Sequence, residues 1–333
     1  MATKYDPQSY RVYLRNSISS KTKHILVEGR DDKYLIDKLC KDFLTENNQS
    51  QNFEVLVDSA ESLIQVQGDE LQLLSNNREK VEFIANSVYG QPYADGFVGF
   101  IDRELHKFKW DCDVDSELQD LVESHEIIKR LVRSRGHSIE NYIFDLSILY
   151  EVLESLSTTV YANQAIELFK ESFQHTLRIA CSIGLAATKA QVLSKISSTI
   201  EYKLLEITST REITFNLDNW IEELLKRQIS ASQAQDIRLH YATYNDQVSR
   251  ASISLVRWIC HGHIGYDFLR ALYERCVFDS CPIVQDKTKE VSGISWVAKE
   301  KLLSCFINSW IKKSLQEQYE YPIAIFELLK ITS

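Results

Sequence analysis

Short apolar runs alternate with periodic stretches along the first part of the chain. His24-Ile25-Leu26-Val27-Glu28 is apolar up to a closing acid and predicts a buried strand. Gly29 turns the chain. Asp31 or Asp32 then caps a helix that carries Tyr34, Leu35, Leu39 and Phe43 on one stripe. Phe53 to Val57 predicts a second strand, and 61 to 89 a loose helix containing Val81, Phe83, Ile84 and Val88. Gly96 to Asp102 predicts a third strand, again apolar and again closed by an acid, and a fourth is expected from Ile127 to Ser134. Residues 1 to 22 are polar and read as a leading arm. The alternation predicts an α/β fold with a mostly parallel sheet flanked by helices.

Near 145 to 150 the pattern changes. Helical spacing dominates in Leu146–Leu156, Ala162–Ile183, Ala190–Leu205, Asp218–Lys226, Ser232–Tyr244, Tyr266–Val277, Val297–Leu315 and Ile323–Leu329. Arg211 to Phe215 reads as a short strand or a loop. The expected division is an α/β domain over 22–147 and a mainly α-helical domain over 148–333. Only 10 Gly and 4 Pro interrupt 333 residues, which favours long helices over a turn-rich β sandwich.

Composition narrows the classes. With 44% apolar and 26% charged residues, the chain is not a disordered, collagen-like or membrane-bundle sequence. Apolar stretches such as Ile253 to Ile259 are broken by Ser and Arg, far short of a membrane span. Met1 to Tyr10 has no apolar centre and does not read as a secretory signal. Seven cysteines, at 40, 112, 181, 260, 276, 281 and 305, form no C-x-x-C pair; reduced thiols in a cytoplasmic protein are the expectation. The net charge of −9 argues against a whole-surface polyanion binder, so any nucleic acid would need a local basic patch.

The candidate chemistry lies at strand ends. In a parallel sheet, carboxyl ends line one edge, where ligands bind. That edge would gather Glu28, Asp102 and Glu104. Crowded carboxylates repel unless a cation neutralises them, and hard oxygen ligands suit Mg²⁺ or Mn²⁺. Such an ion activates water and neutralises charge on a phosphodiester as it is cut. A single acid at a strand end also reads as a solvated cap; the paired pattern is what points to a site.

"Ile-Leu-Val-Glu-Gly-x-x-Asp-Lys" followed by "Gly-Phe-Ile-Asp-x-Glu" resembles the TOPRIM domain of topoisomerases, primases and overcoming-lysogenization-defect nucleases. The resemblance implies Glu28 as the proton-transfer residue and a metal contact. It implies Asp32 as the acid at the helix start, and Asp102 and Glu104 as metal ligands. Glu104 departs from the family, which usually has Asp there. Arg133-Ser134-Arg135-Gly136-His137-Ser138-Ile139-Glu140-Asn141-Tyr142 is similar to the "His-x-Ile-Glu-Asn-Tyr" signature of one TOPRIM branch, which includes the AriB effectors of the PARIS anti-phage system. That branch implies a toxic Mg²⁺-dependent endonuclease that cleaves host tRNA as a homodimer once released from a partner ABC-type ATPase (AriA-like). The helical domain would then supply dimerisation, substrate choice and partner docking.

Lys129, Arg130, Arg133 and Arg135 place four positive charges in seven positions. On a strand, Arg133 and Arg135 point to one side and would hold phosphates; the other reading is a solvated basic edge. Lys33 reads as a phosphate contact or an exposed helix lysine. His137 reads as a proton donor or phosphate contact, or as a structural histidine. Glu140 reads as a metal ligand, as the orienter of His137, or as a cap of the following helix. Asn141 reads as a local hydrogen-bonding residue. His261 and His263 lack partners at zinc spacing, and Trp258, Trp296 and Trp310 read as core or interface. No Walker-type loop is present, so no ATP site is expected in this chain. Two other readings stay open: a DNA-nicking or DNA-degrading enzyme of the same chemistry, and a non-catalytic binding module regulated by a partner.

Overall fold

The structure, a computed structural model, describes residues 5–63, 76–111, 116–208, 211–227, 229–295, 299–317 and 320–331. The chain divides into two compact units. One comprises Met1–Arg103, Val122–Arg135 and Ile311–Ser333; the other comprises Glu104–Leu121 and Gly136–Trp310. In chain order the first elements are α1 Pro7–Ser17, β1 Thr22–Val27, α2 Arg30–Glu46, β2 Glu54–Ser59, α3 Asn77–Val88, β3 Phe97–Ile101, β4 Phe108–Lys109, β5 Gln119–Asp120, β6 Ile127–Ile128 and β7 Leu131–Arg133. They are followed by α4 Leu146–Leu156, α5 Ala162–Lys189, β8 Leu205–Ile207, β9 Ile213–Phe215, α6 Leu217–Lys226, α7 Ala231–Arg250, α8 Ile253–Ile259, α9 Gly262–Ser280, α10 Lys287–Ser295, α11 Lys299–Glu317 and α12 Ala324–Leu328.

The first unit is built on a five-stranded sheet in the order β2-β1-β3-β7-β6. The first four strands are mutually parallel, and only the β6–β7 pair is antiparallel. The α/β expectation therefore holds. Side-chain alternation sorts the sheet faces. Leu26, Phe97 and Ile101 pack with Val81, Ile84 and Val88 of α3 and with Tyr10 and Leu14 of α1. Gly99 sits under α3, where a Cβ would meet Val81 Cγ1 at 2.9 Å. The buried stripe of α2 is Leu35, Ile36, Leu39, Cys40, Phe43 and Leu44; Tyr34, expected on it, is exposed.

Two further expectations for this unit are corrected. Residues 7–17 are not a polar arm but a helix, because the Asp6 carboxylate accepts from the Gln8 and Ser9 amides at 2.8 and 2.9 Å and Pro7 needs no donor at the first position. The expected strand from Ile127 to Ser134 is a hairpin, because Lys129 turns the chain at a positive φ of 58°. Asp32 caps the helix as expected, from within its first turn, where it reaches back to accept from the Gly29 amide at 2.9 Å.

The two units differ from the expected single division at 147/148, since the chain passes between them four times. The C-terminal segment belongs to the first unit for a physical reason. Phe326 stacks on Phe43 at 3.8 Å between centroids, and Arg130 Nη2 donates to the Leu328 carbonyl at 3.0 Å.

The second unit is mainly helical and is centred on α5, which packs along α9 and α7. Trp220 is fully buried and donates from Nε1 to Thr199 Oγ1 at 2.8 Å. The helix expected over Ala190–Leu205 is absent: two single turns at 193–195 and 202–204 lead into the β8–β9 ladder. Helix α8 carries Trp258 in the broken apolar stretch from Ile253 to Ile259, and helix α10 was not expected. Part of the helix expected over 61–89 lies outside the described residues, as do Cys112, Trp296 and the start of the 297–315 stretch. Trp258 and Trp310 are buried. The six described cysteines form no disulfide, and burial raises the thiol pKa values of Cys40 and Cys181. No described helix is long and apolar enough to cross a membrane.

Candidate active site

The parallel register sets the carboxyl ends of β2, β1, β3 and β7 side by side in the first unit. Val27 pairs with Ser59 and with Phe100, and Ile101 pairs with Arg133. Glu28 and Asp102 therefore follow neighbouring strands. Glu28 Oε1 accepts a hydrogen bond from the Asp102 amide at 2.9 Å, so the two acids, 74 positions apart, meet at one edge. Both are half-buried. The Ser59 hydroxyl donates to the Glu28 carbonyl at 3.4 Å.

The turn after Glu28 is tight. A Cβ on Gly29 would sit 3.3 Å from Asp32 Oδ2, the oxygen that already accepts from the Gly29 amide. Asp32 thus holds the turn. Lys33 is exposed on α2.

Arg103 is the residue that sequence reasoning missed. It is 1% exposed, a rare depth for a guanidinium. Its amide donates to Ser134 Oγ at 2.9 Å, and Nη1 donates to the Arg135 carbonyl at 2.9 Å. With the Ser134 amide bonded to the Ile101 carbonyl at 2.9 Å, these contacts lock the end of β3 to the segment after β7. The signal was present as an arginine directly behind Asp102.

The basic run is not a solvated edge. Arg130 is buried and donates from Nε to the Phe97 carbonyl at 2.8 Å. Arg133 lies between Glu126 at 3.1 Å and Glu82 at 3.3 Å, and Arg135 pairs with Glu320 at 3.5 Å. Lys129 at the hairpin tip is exposed; it reaches Asn86 Oδ1 at 3.3 Å and lies over the Tyr89 ring. The expectation that Arg133 and Arg135 project together from a strand towards phosphates is thereby corrected: acids from distant parts of the sequence engage both.

Glu104, His137 and Glu140 belong to the second unit. Glu104 is exposed and has a left-handed backbone, φ 52°, with its amide donating to the His137 carbonyl at 2.6 Å. His137 is buried, its amide donates to the Trp258 carbonyl at 2.7 Å, and its ring centroid lies 4.7 Å from that of His261. Burial, then the neighbouring His263, pushes the His261 pKa down to about 4, against a smaller raising effect of Glu140. Glu140 accepts from Ser138 Oγ at 2.6 Å and lies 3.2 Å from His263 Nδ1.

Asn141 ties this stretch together. Its Oδ1 accepts from the Ser138 amide at 2.7 Å, and its Nδ2 donates to the Arg257 and Cys260 carbonyls at 2.6 and 2.8 Å. Two glycines permit the approach. A Cβ on Gly136 would lie 2.5 Å from Asn141 Cβ, and one on Gly262 only 2.0 Å from Ser138 Oγ. Residues 136–142 are thus knotted onto 257–263.

Among the described residues no group of three or more His, Cys, Asp or Glu is placed to hold a metal ion. No protein-family model matches the chain, and no curated protein matches it.

Proposed function

We propose that the chain is a divalent-metal-dependent nuclease of TOPRIM type in which Glu28 and Asp102 are the acting pair. The observation that carries this reading is the hydrogen bond from the Asp102 amide to Glu28 Oε1 at the carboxyl ends of adjacent parallel strands. The donor set fits Mg²⁺, which is commonly held by one or two carboxylates and completes its shell with water and substrate phosphates. Mn²⁺ suits the same ligands. Glu28 and Asp102 would hold the ion, which when bound neutralises charge on the phosphodiester. Glu28, oriented by the Asp102 amide, would accept the proton of the attacking oxygen. Arg103, through Ser134 and the Arg135 carbonyl, would keep the Asp102 strand end in place.

The sequence resemblance supplies the rest of the reading: host tRNA as substrate, a homodimer as the active form, and an AriA-like ATPase that holds the effector until a phage is sensed. A second reading, a binding module without catalysis, is favoured by one observation. Arg130, Arg133 and Arg135 are already engaged by acids or carbonyls within the first unit.

Labelled tRNA and supercoiled plasmid, incubated side by side with Mg²⁺ or Mn²⁺, separate ribonuclease from deoxyribonuclease. Cleavage of tRNA that is lost in Glu28→Gln supports the proposal. No cleavage of either substrate, with no Mg²⁺ binding by calorimetry, overturns it in favour of the module.

A further inference from the structure

We infer that a cleft beside α1 is a phosphate-binding site for a nucleotide unit, held by Arg11 and Arg15 and separate from the carboxylate edge. Helix α1 has two faces. Tyr10 and Leu14 are buried against the sheet, while Gln8, Arg11 and Arg15, spaced by three and four, share the other face. With Gln91 and Tyr93 from the segment before β3, they line a cleft of about 720 Å³. Clefts of several hundred cubic ångströms suit small organic ligands, including a nucleotide. The cleft segments lead into the amino ends of β1 and β3, whereas Glu28 and Asp102 follow their carboxyl ends.

The two arginines differ from most others in the chain. Arg30, Arg133, Arg257 and Arg275, for example, each pair with a carboxylate. Arg11 and Arg15 have no side-chain partner among the described residues, and Arg11 Nε is shielded from solvent with no acceptor. A shielded donor without an acceptor is costly, and with Nε closed to solvent the Arg11 guanidinium offers its two Nη groups to the cleft. Two like charges at i, i+4 add repulsion. The α1 dipole favours a cation at Arg15 in the last turn, but it does not satisfy Arg11 Nε.

A phosphate resolves the like-charge repulsion through the Nη groups. Guanidinium forks match phosphate oxygens bidentately, and one dianion neutralises both side chains. The Gln8 and Gln91 amides supply further donors, and the Tyr93 ring offers a stacking surface for a base. The phosphate can come from a free nucleotide or from a nucleic-acid strand.

The test measures binding, not cleavage, so it is independent of the nuclease proposal. AMP and inorganic phosphate are titrated calorimetrically. A fluorescein-labelled twelve-nucleotide single-stranded RNA is followed by anisotropy in the Glu28→Gln background to prevent cutting. We expect Arg11→Gln with Arg15→Gln to raise Kd at least tenfold. Arg227→Gln, which removes a lone exposed arginine of the second unit, should change Kd by less than twofold. Arg11→Lys with Arg15→Lys keeps the charge but loses the fork, so it should fall between, and it decides the matter if the glutamine pair does not fold. AMP binding competed by inorganic phosphate assigns the site to free nucleotides, and binding of RNA alone assigns it to strands. The inference is overturned if neither probe binds, if the glutamine pair binds as well as wild type, or if Arg227→Gln loses as much.

Discussion

In the first unit, Glu28 and Asp102 are half-buried at strand ends, joined by one bond from an amide to a carboxylate. In the second, Asn141 is fully buried and makes hydrogen bonds to Ser138, Arg257 and Cys260, with Gly136 and Gly262 cleared of side chains to let it dock. As motifs the two stretches are equally prominent, and physically they are opposites. A site needs polar groups that the fold positions without burying them. A fastening needs polar groups that the fold satisfies completely, since a buried amide left unpaired costs about 1–3 kcal/mol. The acids of β1 and β3 meet the first description, and Asn141 meets the second.

The sharpest way to break this contrast is to separate activity from stability. Glu28→Gln should lower cleavage of labelled tRNA about a thousandfold, ~4 kcal/mol in the barrier, while the melting temperature stays within a degree or two. Full activity in that variant would remove the carboxylate edge from consideration. A large fall in melting temperature would make Glu28 a structural residue like Asn141.

The converse variant is Gly262→Ala. Its Cβ would meet Ser138 Oγ at 2.0 Å and Glu140 Oε2 at 2.5 Å, so either the knot opens or α9 shifts. Overpacking of this kind costs roughly 3 kcal/mol, which at about 2–4 °C per kcal/mol is a fall of several degrees in a thermal melt. An unchanged melting curve would show that residues 136–142 do not need this close approach.

Protonation compares the units more gently. In each a histidine is held neutral: burial, with Arg135, pushes His125 down to about 4, and burial, with His263, does the same for His261. The unfolded chain takes up these protons near pH 6.5, so it binds more protons than the folded chain between about pH 6.5 and 4. Stability contributed by the neutral rings is therefore present above pH 6.5 and lost as pH falls through 4. The loss is roughly 1–3 kcal/mol for each ring, at 1.36 kcal/mol per unit less the effect of partial exposure. Denaturant melts at pH 7 and 4.5 should show it, and His261→Gln should remove about half. Equal pH dependence with and without His261 would mean that its ring is wet.

The parts legible in the sequence were those governed by local pattern. β1 and β3 showed as apolar runs closed by acids, and α4 and α6 showed within a residue of their ends. Asp6-Pro7 was a readable helix start, hidden by the polarity of the residues after it. Other features rest on distant partners and left no local trace. Arg133 looks like a phosphate ligand until Glu82 and Glu126 arrive beside it, and Arg135 until Glu320 does. Lys129 breaks a strand because the chain turns back there, although lysine is no turn residue. The link from Asn141 to Arg257 and Cys260 spans more than a hundred positions, so two weak stretches of sequence concealed one fastening.

The smallest expected effect on stability concerns Glu104, which stands where the TOPRIM pattern has Asp. Its backbone is left-handed at φ 52°, a region that Asp and Asn tolerate better than Glu because their short side chains bond locally. Glu104→Asp should therefore gain about 0.5 kcal/mol and keep measurable cleavage, since charge is retained and only reach changes. Glu104→Ala keeps the backbone strain and removes a carboxylate that the TOPRIM resemblance, beyond the Glu28 and Asp102 pair proposed above, counts as a metal ligand; on that reading it should lose nearly all activity. Mn²⁺, which binds such ligands more strongly than Mg²⁺, should restore part of it. Melts and metal titrations on the three proteins separate the two effects. Equal metal dependence in wild type and Glu104→Ala would leave Glu104 as a turn residue, and would confine the proposed chemistry to Glu28 and Asp102.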